Sequence, residues 1–176
     1  MKTNPLLYTA DRVVLRRLSA EDLIPFQAYR SDPVVGRYQS WDSVSDGKAA
    51  AFLAVMSQCE AFVPGVWVQL GIALRRTNDL IGDIGVCVSF DSEHAEIGFT
   101  LASESQGQGL AIEAILALTN LLFESTPINR IVAITDSRNL PSIRLLERLG
   151  MKRVQTVDAI FRNEPCEEHL YELIRP

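Results

Sequence analysis

The order of sequence patterns along this chain predicts a mixed α/β (α+β) fold. Three observations predict it: strand runs that follow one another in the first half, a helix–strand–helix segment after them, and a closing pair of strands. A doubly wound sheet would alternate strands and helices throughout, and a sandwich would be built from strands alone. With 176 residues, one domain over residues 1–176 is expected, with a short flexible start to about residue 10.

The first half of the chain contains four strand runs and two helix patterns. The strand runs are residues 13–18, 66–74, 80–90 and 94–101. Residues 75–79 read as the turn of a hairpin between the second and third runs. One helix is predicted to begin after Ser19, because serine suits an N-cap and two acids follow it, and to end at Asp32-Pro33. A second helix is predicted to begin at Ser45, where apolar residues recur at helical spacing.

The second half contains a helix, a strand, a second helix and two closing strands. Residues 110–123 repeat apolar side chains at helical spacing, and residues 129–135 form a compact strand run. Residues 139–149 are predicted to form the second helix, which Gly150 would end. The closing strands are residues 151–161 and 168–174. These bring the expected number of strands to about seven.

Composition and charge exclude several classes of protein. Hydrophobic residues make up 47% of the chain and charged residues 22%, as in an ordinary globular domain rather than a disordered or collagenous chain. The net charge of −5 argues against a nucleic-acid partner. No apolar run approaches the ~20 residues that cross a bilayer, and no signal peptide is recognised, so we expect a cytoplasmic protein without a membrane partner.

Cysteine and histidine are too few and too scattered for a metal site. Cys59, Cys87 and Cys166 lie far apart and form no C-x-x-C pair, and the chain has two histidines. No zinc-type spacing results, so no metal is expected. The three cysteines are interpreted as incidental or buried thiols in a reducing compartment.

The most informative segment is the glycine-containing run at residues 106–111, between a strand and a long helix. Small residues let the backbone approach a ligand closely, and the free N–H groups of a helix start suit an anion, a diphosphate in particular. A P-loop is excluded because no lysine follows Gly109. A dinucleotide fingerprint would need a third glycine where Ile112 stands. From composition alone, a plain glycine-rich turn stays open as an alternative.

The chain resembles the GNAT acetyltransferase superfamily in three blocks. The specified positions of that family's acyl-CoA loop pattern, Q/R-x-x-G-x-G/A, are filled by Gln106, Gly109 and Ala111. Residues 95–101 look like the strand that precedes this loop. Asn139 and Ser142 begin a segment similar to the second signature of the family, N-x-x-S followed by a helix and G-[FM]. Residues 12–22 look like the opening of the branch that contains the ribosomal-protein N-terminal acetyltransferases (Rim-type).

The resemblance implies a twisted mixed sheet whose fourth and fifth strands, residues 94–101 and 129–135, splay apart, with acetyl-CoA in the gap. The diphosphate would lie on backbone N–H groups at the helix start, and the pantetheine arm would pair with the end of the fourth strand like an added strand. The residues implied to bind the cofactor are Phe99, Thr100, Leu101, Gln106, Gly107, Gln108, Gly109, Leu110, Ala111 and Asn139.

The activity that the resemblance implies is transfer of an acetyl group to a primary amine, by direct attack in a ternary complex. The acceptor would be a protein N-terminus or a small-molecule amine. Glu96 matches the strand position of the catalytic glutamate in several members and is the first candidate for the general base; Glu104, His94 or water are alternatives. Ser142, or solvent in its place, would donate a hydrogen bond to the leaving thiolate, with Asn139 beside the CoA arm or the acetyl group.

The tyrosine that many members of the superfamily use as general acid has no counterpart here. Its position, four residues after Ser142, holds Leu146. This departure keeps open an alternative function, a non-catalytic acyl-CoA-binding sensor or regulatory module. A nucleotide-dependent oxidoreductase is disfavoured by the incomplete glycine fingerprint.

Three aromatic residues lie in segments that usually border the acceptor site in this branch. Trp41 and Phe62 could line that site or pack in the core, whereas Trp67, inside a strand run, is expected to pack in the core. The sequence leaves open which amine is the acceptor and whether the chain forms a homodimer.

Overall fold

A computed structural model describes residues 6–176 and places eight strands in one sheet. The strands are β1 (Leu6–Thr9), β2 (Val13–Arg17), β3 (Val68–Leu74), β4 (Leu80–Val88), β5 (His94–Leu101), β6 (Arg130–Asp136), β7 (Lys152–Phe161) and β8 (Glu164–Ile174). The helices are α1 (Leu23–Arg30), α2 (Pro33–Gly36), α3 (Asp46–Gln58), α4 (Leu110–Ser125) and α5 (Leu140–Arg148). The strand order in the sheet is β1-β2-β3-β4-β5-β6-β8-β7.

The sheet is antiparallel except between β5 and β6, which run parallel. Their pairing covers only the stretch from His94 opposite Arg130 to Glu96 opposite Val132. From residue 97 onward β5 pairs with β4 alone, because β6 diverges from it. β5 and β6 are the fourth and fifth predicted strands, so the expected splay is confirmed.

Two elements are not predicted by the sequence pattern, strand β1 and helix α2. Leu6–Thr9, inside the expected flexible start, forms a strand that pairs antiparallel with β2; residues 1–5 of that start lie outside the described residues. The sheet therefore has eight strands rather than about seven. In α2, the Asp32 side chain accepts a hydrogen bond from Val34 N and caps a single turn, too short to show a helical period.

Strand β8 begins earlier than its apolar pattern indicates. Arg162 and Asn163 both have positive φ, 51° and 65°, as the two-residue hairpin turn between β7 and β8 requires. This tight turn extends the pairing back to Glu164, whereas alternation of apolar residues indicates a start at Glu168. The hairpin of β7 and β8 therefore extends past the part of β8 that pairs with β6, and Arg162 lies at its tip.

Helices cover both faces of the sheet. On one face α4 and α5 pack on a core that includes Ile84, Ile97 and Leu118. On the other face α1 and α3 pack around Phe26 and Leu53. Each such fully buried side chain contributes about 1.5–3 kcal/mol through loss of contact with water.

A buried ionic cluster fixes α1 to the middle of the sheet. Asp83 of β4 is fully buried, and its carboxylate accepts hydrogen bonds from Tyr29 Oη at 2.5 Å, Arg30 Nη2 at 3.0 Å and Gln69 Nε2 at 2.7 Å. Burial and the adjacent carboxylate raise the pKa of Tyr29 well above its usual value. Because every oxygen of Asp83 is bonded, the charge is held without the penalty of an unpaired buried ion.

Candidate active site

The candidate site is the gap that opens between β5 and β6. Ser89 N donates to His94 O at 2.9 Å, which shows that even-numbered residues of β5 bond to β4. Odd-numbered residues turn their backbone groups toward β6, and Asn129 N accordingly donates to Glu93 O at 2.8 Å. Beyond the splay, the backbone groups of Phe99 and Leu101 therefore point into the gap and pair with no neighbouring strand, so that they form a free strand edge.

Two glutamine side chains hydrogen-bond to the carbonyls of this free edge. Gln106 Nε2, at the start of the glycine loop, donates to Leu101 O at 2.9 Å. Gln39 Nε2, from the segment after α2, donates to Phe99 O at 3.2 Å. Thr100 lies between them but is buried and turns its backbone to β4. Of the three predicted strand residues, Phe99 and Leu101 line the gap through their backbones and Thr100 does not.

The glycine loop leads directly into α4. Gly107 and Gly109 have φ of +72° and +79°, in the left-handed region where glycine alone carries no side-chain penalty. Gly109 is the N-cap of α4, so the free N–H groups of the first helical turn begin at Leu110. Gln108 folds back on the preceding turn, with its Nε2 donating to Glu104 O at 2.8 Å. The loop thus places the free N–H groups of a helix start, which suit an anion, shortly after the end of β5.

Arg12 and Glu113 anchor the loop to the start of β2. The Glu113 carboxylate pairs with Arg12 Nε at 2.8 Å and accepts from the backbone N–H groups of Arg12 and Val13. Arg12 Nη1 donates to Gln108 O at 3.0 Å. Burial alone would raise the pKa of Glu113, but these hydrogen bonds hold it below its usual value. Arg12 is absent from the sequence-predicted site, because a pair separated by about a hundred residues leaves no local pattern.

The second lip of the gap is the start of α5, directly after β6. Asn139 is the N-cap of α5, and its Oδ1 accepts from Ser142 N at 3.4 Å. Both side chains are half-buried. Leu146 is fully buried in the core beside α4, so the position that would carry the family's tyrosine faces away from solvent.

Residues 38–42, which we call the strap, follow α2 and cross from one lip to the other. Gln39 binds β5, as described above, and Tyr38 Oη donates to Arg138 O, just after β6, at 3.3 Å. Arg138 is itself held by Asp136 through Nε at 2.9 Å and Nη2 at 2.6 Å. The strap therefore contacts β5 on one side of the gap and the segment just after β6 on the other.

Two arginines hold the strap from either side. Arg162, in the β7–β8 turn, donates through Nη2 to Gln39 O at 3.3 Å and Trp41 O at 3.2 Å, and it pairs with Asp42 at 3.3 Å. The guanidinium of Arg30 lies 4.3 Å from the centroid of the Trp41 ring. Trp41 is thus half-buried in the strap beside the gap, a placement consistent with either of its predicted roles.

Glu96 lies where the two strands separate. It is the last residue of β5 that pairs with β6, and it is half-buried on the sheet face that carries α1 and α3. Burial raises the pKa of Glu96; the Glu168 carboxylate adds to this, and His94 opposes it. A raised pKa makes the carboxylate a stronger base toward an ammonium group. Helix α5, which carries Ser142, packs on the opposite face, so the two candidate groups approach the gap from different sides.

The alternative bases have different surroundings. Glu104 is exposed in the turn before the loop, where its backbone carbonyl is bound by Gln108. His94 is half-buried at the start of β5, two residues before Glu96 and on the same face.

The two remaining aromatic residues behave differently from each other. The expectation that Trp67 packs in the core is wrong: it precedes β3, which begins at Val68, and is 47% exposed. β3 begins only at Val68, so Trp67 lies outside the paired strand and close to half of its surface stays in contact with solvent. Phe62 is half-buried against the core beneath α4.

Residues 6–176 provide neither a metal-binding cluster nor a membrane-spanning helix. In this range no group of three or more His, Cys, Asp or Glu side chains is placed to hold a metal ion. None of the helices listed above combines the length and apolarity needed to cross a membrane. Cys59, Cys87 and Cys166 are free thiols, each half-buried.

Comparison with known proteins gives matches over most of the chain. The family described as "Acetyltransferase (GNAT) domain" matches residues 12–152. The N-acetyltransferase p20 of Bacillus licheniformis is 32% identical over 148 residues, which are 84% of this chain and 82% of the relative.

Two solved structures illustrate the likeness of fold. The crystal structure of a GNAT-family acetyltransferase from Bacillus anthracis has a TM-score of 0.85 at 24% identity, covering 95% of this chain and 97% of the other. RimL, a ribosomal L7/L12 α-N-protein acetyltransferase solved in complex with coenzyme A, has a TM-score of 0.80 at 16% identity, covering 97% of this chain and 98% of its own.

Proposed function

Because this chain belongs to the GNAT acetyltransferase family, we propose that it transfers the acetyl group of acetyl-CoA to a primary amine by direct attack in a ternary complex. The resemblance drawn from the three sequence blocks is confirmed by the family match, and acetyl-CoA is the co-substrate that this family uses. One observation carries the proposal: the free edge of β5 at Phe99 and Leu101 runs directly into a glycine loop that opens a long helix.

In this proposal each half of the cofactor has its own kind of partner. The backbone N–H groups of residues 107–111 hold the diphosphate at the start of α4, where the helix dipole favours negative charge. The pantetheine arm pairs with the backbone of Phe99 and Leu101 as an added strand. Asn139, on the second lip, lies beside the acetyl end. Side-chain identity matters little at most of these positions, because backbone groups make the contacts.

Glu96 accepts the proton that the acceptor amine must lose. Amines of the lysine type are mostly protonated at neutral pH, and only the neutral amine attacks a carbonyl carbon. Its nitrogen forms the new C–N bond, and the C–S bond of the thioester breaks with its electron pair left on sulfur. Ser142 donates a hydrogen bond to that thiolate, and the sulfur takes up the proton that the attacking nitrogen loses as the amide forms, so that free CoA leaves. Holding both substrates in one site supplies much of the rate enhancement.

The acceptor side is the sheet face that carries Glu96 and Glu168. The raised pKa of Glu96 and its neighbouring carboxylate suit an acceptor that arrives as a cation. RimL, which shares this fold, is a protein α-N-acetyltransferase, so a protein N-terminus and a small-molecule amine are both included in the proposal.

The test measures binding and turnover separately. Acetyl-CoA should raise the melting temperature of the protein, and NADH should not. With an acceptor found by thiol release across a panel of amines and peptides, Glu96→Gln should lower turnover by about 10²–10⁴ at neutral pH while leaving the Kd for acetyl-CoA unchanged. Higher pH should restore part of this loss, because more amine is already neutral.

Two further variants complete the design. Ser142→Ala should lower turnover with little recovery at high pH, since it removes a donor to the leaving group rather than the base. Glu104→Gln is the matched control and should turn over as the wild type does. Normal turnover by Glu96→Gln would refute Glu96 as the base. Binding of acetyl-CoA without thiol release from any amine would favour the sensor or regulatory module instead.

A further inference from the structure

The Gln39 side chain occupies a position on the strand edge that an added strand would use. The hydrogen bond from Ser89 N to His94 O fixes the alternation of β5, so the carbonyl of Phe99 points into the gap. A strand or a strand-like ligand laid along this edge would place an amide N–H opposite that oxygen. Gln39 Nε2 already donates to it, at 3.2 Å.

Gln39 belongs to the strap, which is held on both sides of the gap. Gln39 O is bound by Arg162, and the neighbouring Tyr38 hydroxyl binds Arg138 O on the other side of the gap. The Gln39 amide is therefore the contact through which the strap is joined to β5. By comparison, Gln106 reaches Leu101 O from the glycine loop itself and does not join the two lips.

We propose that the Gln39 amide stands in for the pantetheine arm on the Phe99 carbonyl, and that acetyl-CoA displaces it on binding. This inference rests on the proposed function, since it requires an amide-bearing cofactor arm along β5. Displacement frees the strap from β5 while Arg162 still holds its backbone.

The test uses two ligands that differ by the arm alone. Coenzyme A carries the pantetheine, whereas 3′-phosphoadenosine 5′-diphosphate has the nucleotide and diphosphate without it. Gln39→Ala removes the competing amide, so the Kd for coenzyme A should fall by about fivefold, the usual net contribution of one hydrogen bond. The Kd for 3′-phosphoadenosine 5′-diphosphate should stay at the wild-type value. Isothermal titration calorimetry measures both.

Tyr38→Phe provides the matched control. It removes the other contact of the strap with the gap, the hydrogen bond to Arg138 O, but leaves Gln39 on Phe99 O. Unchanged affinity of Tyr38→Phe for coenzyme A supports the inference. An equal gain in both variants would mean that loosening the strap is sufficient, and it would overturn the specific role of Gln39. Unchanged or weaker binding of coenzyme A by Gln39→Ala would also overturn it.

A direct readout follows the Gln39 side chain itself. In ¹⁵N-correlated NMR spectra, its side-chain NH₂ signals, assigned by their absence in Gln39→Ala, should shift with coenzyme A and stay in place with 3′-phosphoadenosine 5′-diphosphate. Signals that stay in place with both ligands would overturn the inference even if coenzyme A binds. If the wild type binds neither ligand, the proposed function itself fails, a result distinct from all the others.

Discussion

Replacing Gly109 by valine tests whether the glycine loop is a binding site or only a turn. Gly109 has φ of +79°, and a left-handed conformation costs a residue with a side chain about 1–2 kcal/mol. A Cβ atom at this position would meet only Arg12 Nη2, at 3.4 Å, the end of a flexible side chain. The strain therefore lies in the backbone rather than in packing. A loss of 1–2 kcal/mol lowers the melting temperature by about 2–8 °C for a domain of this size.

The same backbone strain determines the effect on cofactor affinity. If the loop relaxes to relieve it, the N–H groups at the start of α4 turn away from the ligand, and binding must restore the strained conformation. The part of this strain that relaxation relieves in the free protein is the part that binding must restore, and at most the full ~2 kcal/mol raises the Kd for acetyl-CoA by about 30-fold. The sequence alone suggests a different reason, that a side chain would block close approach of the diphosphate; the structure points that side chain toward Arg12 instead.

Gly150→Val is the matched control for this experiment. Gly150 has φ of +80°, nothing lies within 4 Å of a Cβ built there, and it ends α5 rather than opening α4. Both variants should lose similar stability in thermal denaturation, but only Gly109→Val should lose affinity in calorimetric titration with acetyl-CoA. If Gly109→Val binds acetyl-CoA as tightly as Gly150→Val does, the loop is a structural turn and the assignment of the diphosphate site is refuted.

Three further predictions concern charges around the site. The folded protein raises the pKa of Glu96, so the contribution of its protonated carboxyl group to stability is present below the ordinary value of about 4.3 and lost as pH rises through the raised value. Glu96→Gln should therefore melt at a higher temperature than wild type at pH 7, with a gain that disappears toward pH 4. A lower melting temperature of the variant at pH 7 would contradict this. The pKa of Asp136 is lowered by Arg138, so Asp136→Asn should be less stable than wild type at pH 7. The difference in stability should close as pH falls from the ordinary value of about 3.9 through the lowered value. A pH-independent difference in thermal melts would exclude the charge as its cause. Glu113→Ala should lower the free energy of unfolding by about 1–3 kcal/mol in urea denaturation, because it leaves the backbone N–H groups of Arg12 and Val13 without their acceptor. Glu124→Ala, which removes an exposed acid of the same helix, should not lower it. Equal effects of the two substitutions would show that the hydrogen bonds of Glu113 add nothing to stability.

The sequence predicts those parts of the molecule that local patterns determine. Ser45 and Gly150 bound α3 and α5 as expected, because the helical spacing of apolar residues begins after Ser45 and a glycine just past the last turn favours the end of a helix. The glycine loop is also visible in the sequence, since its conformation requires glycine at Gly107 and Gly109. The splay between β5 and β6 follows from the family resemblance and not from any pattern within the strands themselves.

Contacts between distant segments leave no such pattern. The pairing of Arg12 with Glu113 and the hydrogen bond from Gln39 to Phe99 join residues far apart in the chain, and each partner alone is an ordinary polar residue. Burial of Asp83 is equally hidden, because its position inside a strand run gives no sign of the arginine that reaches it from α1. The exposure of Trp67 depends on where β3 begins, a boundary that the run of apolar residues does not define.

The short parallel contact between β5 and β6 divides the sheet into two antiparallel blocks of strands. Strands β1 to β5 form one antiparallel block and β6, β8 and β7 form another, and only the pairs from His94 to Glu96 join them within the sheet. The hairpin contacts inside each block join strands that are close in sequence. Pairing of β5 with β6, in contrast, requires that α4, which connects these two strands, is placed first. The joint therefore forms after the hairpins that flank it, β4–β5 and β7–β8. A ligand that contacts both lips would brace the two blocks beyond Glu96, where the strands themselves no longer pair.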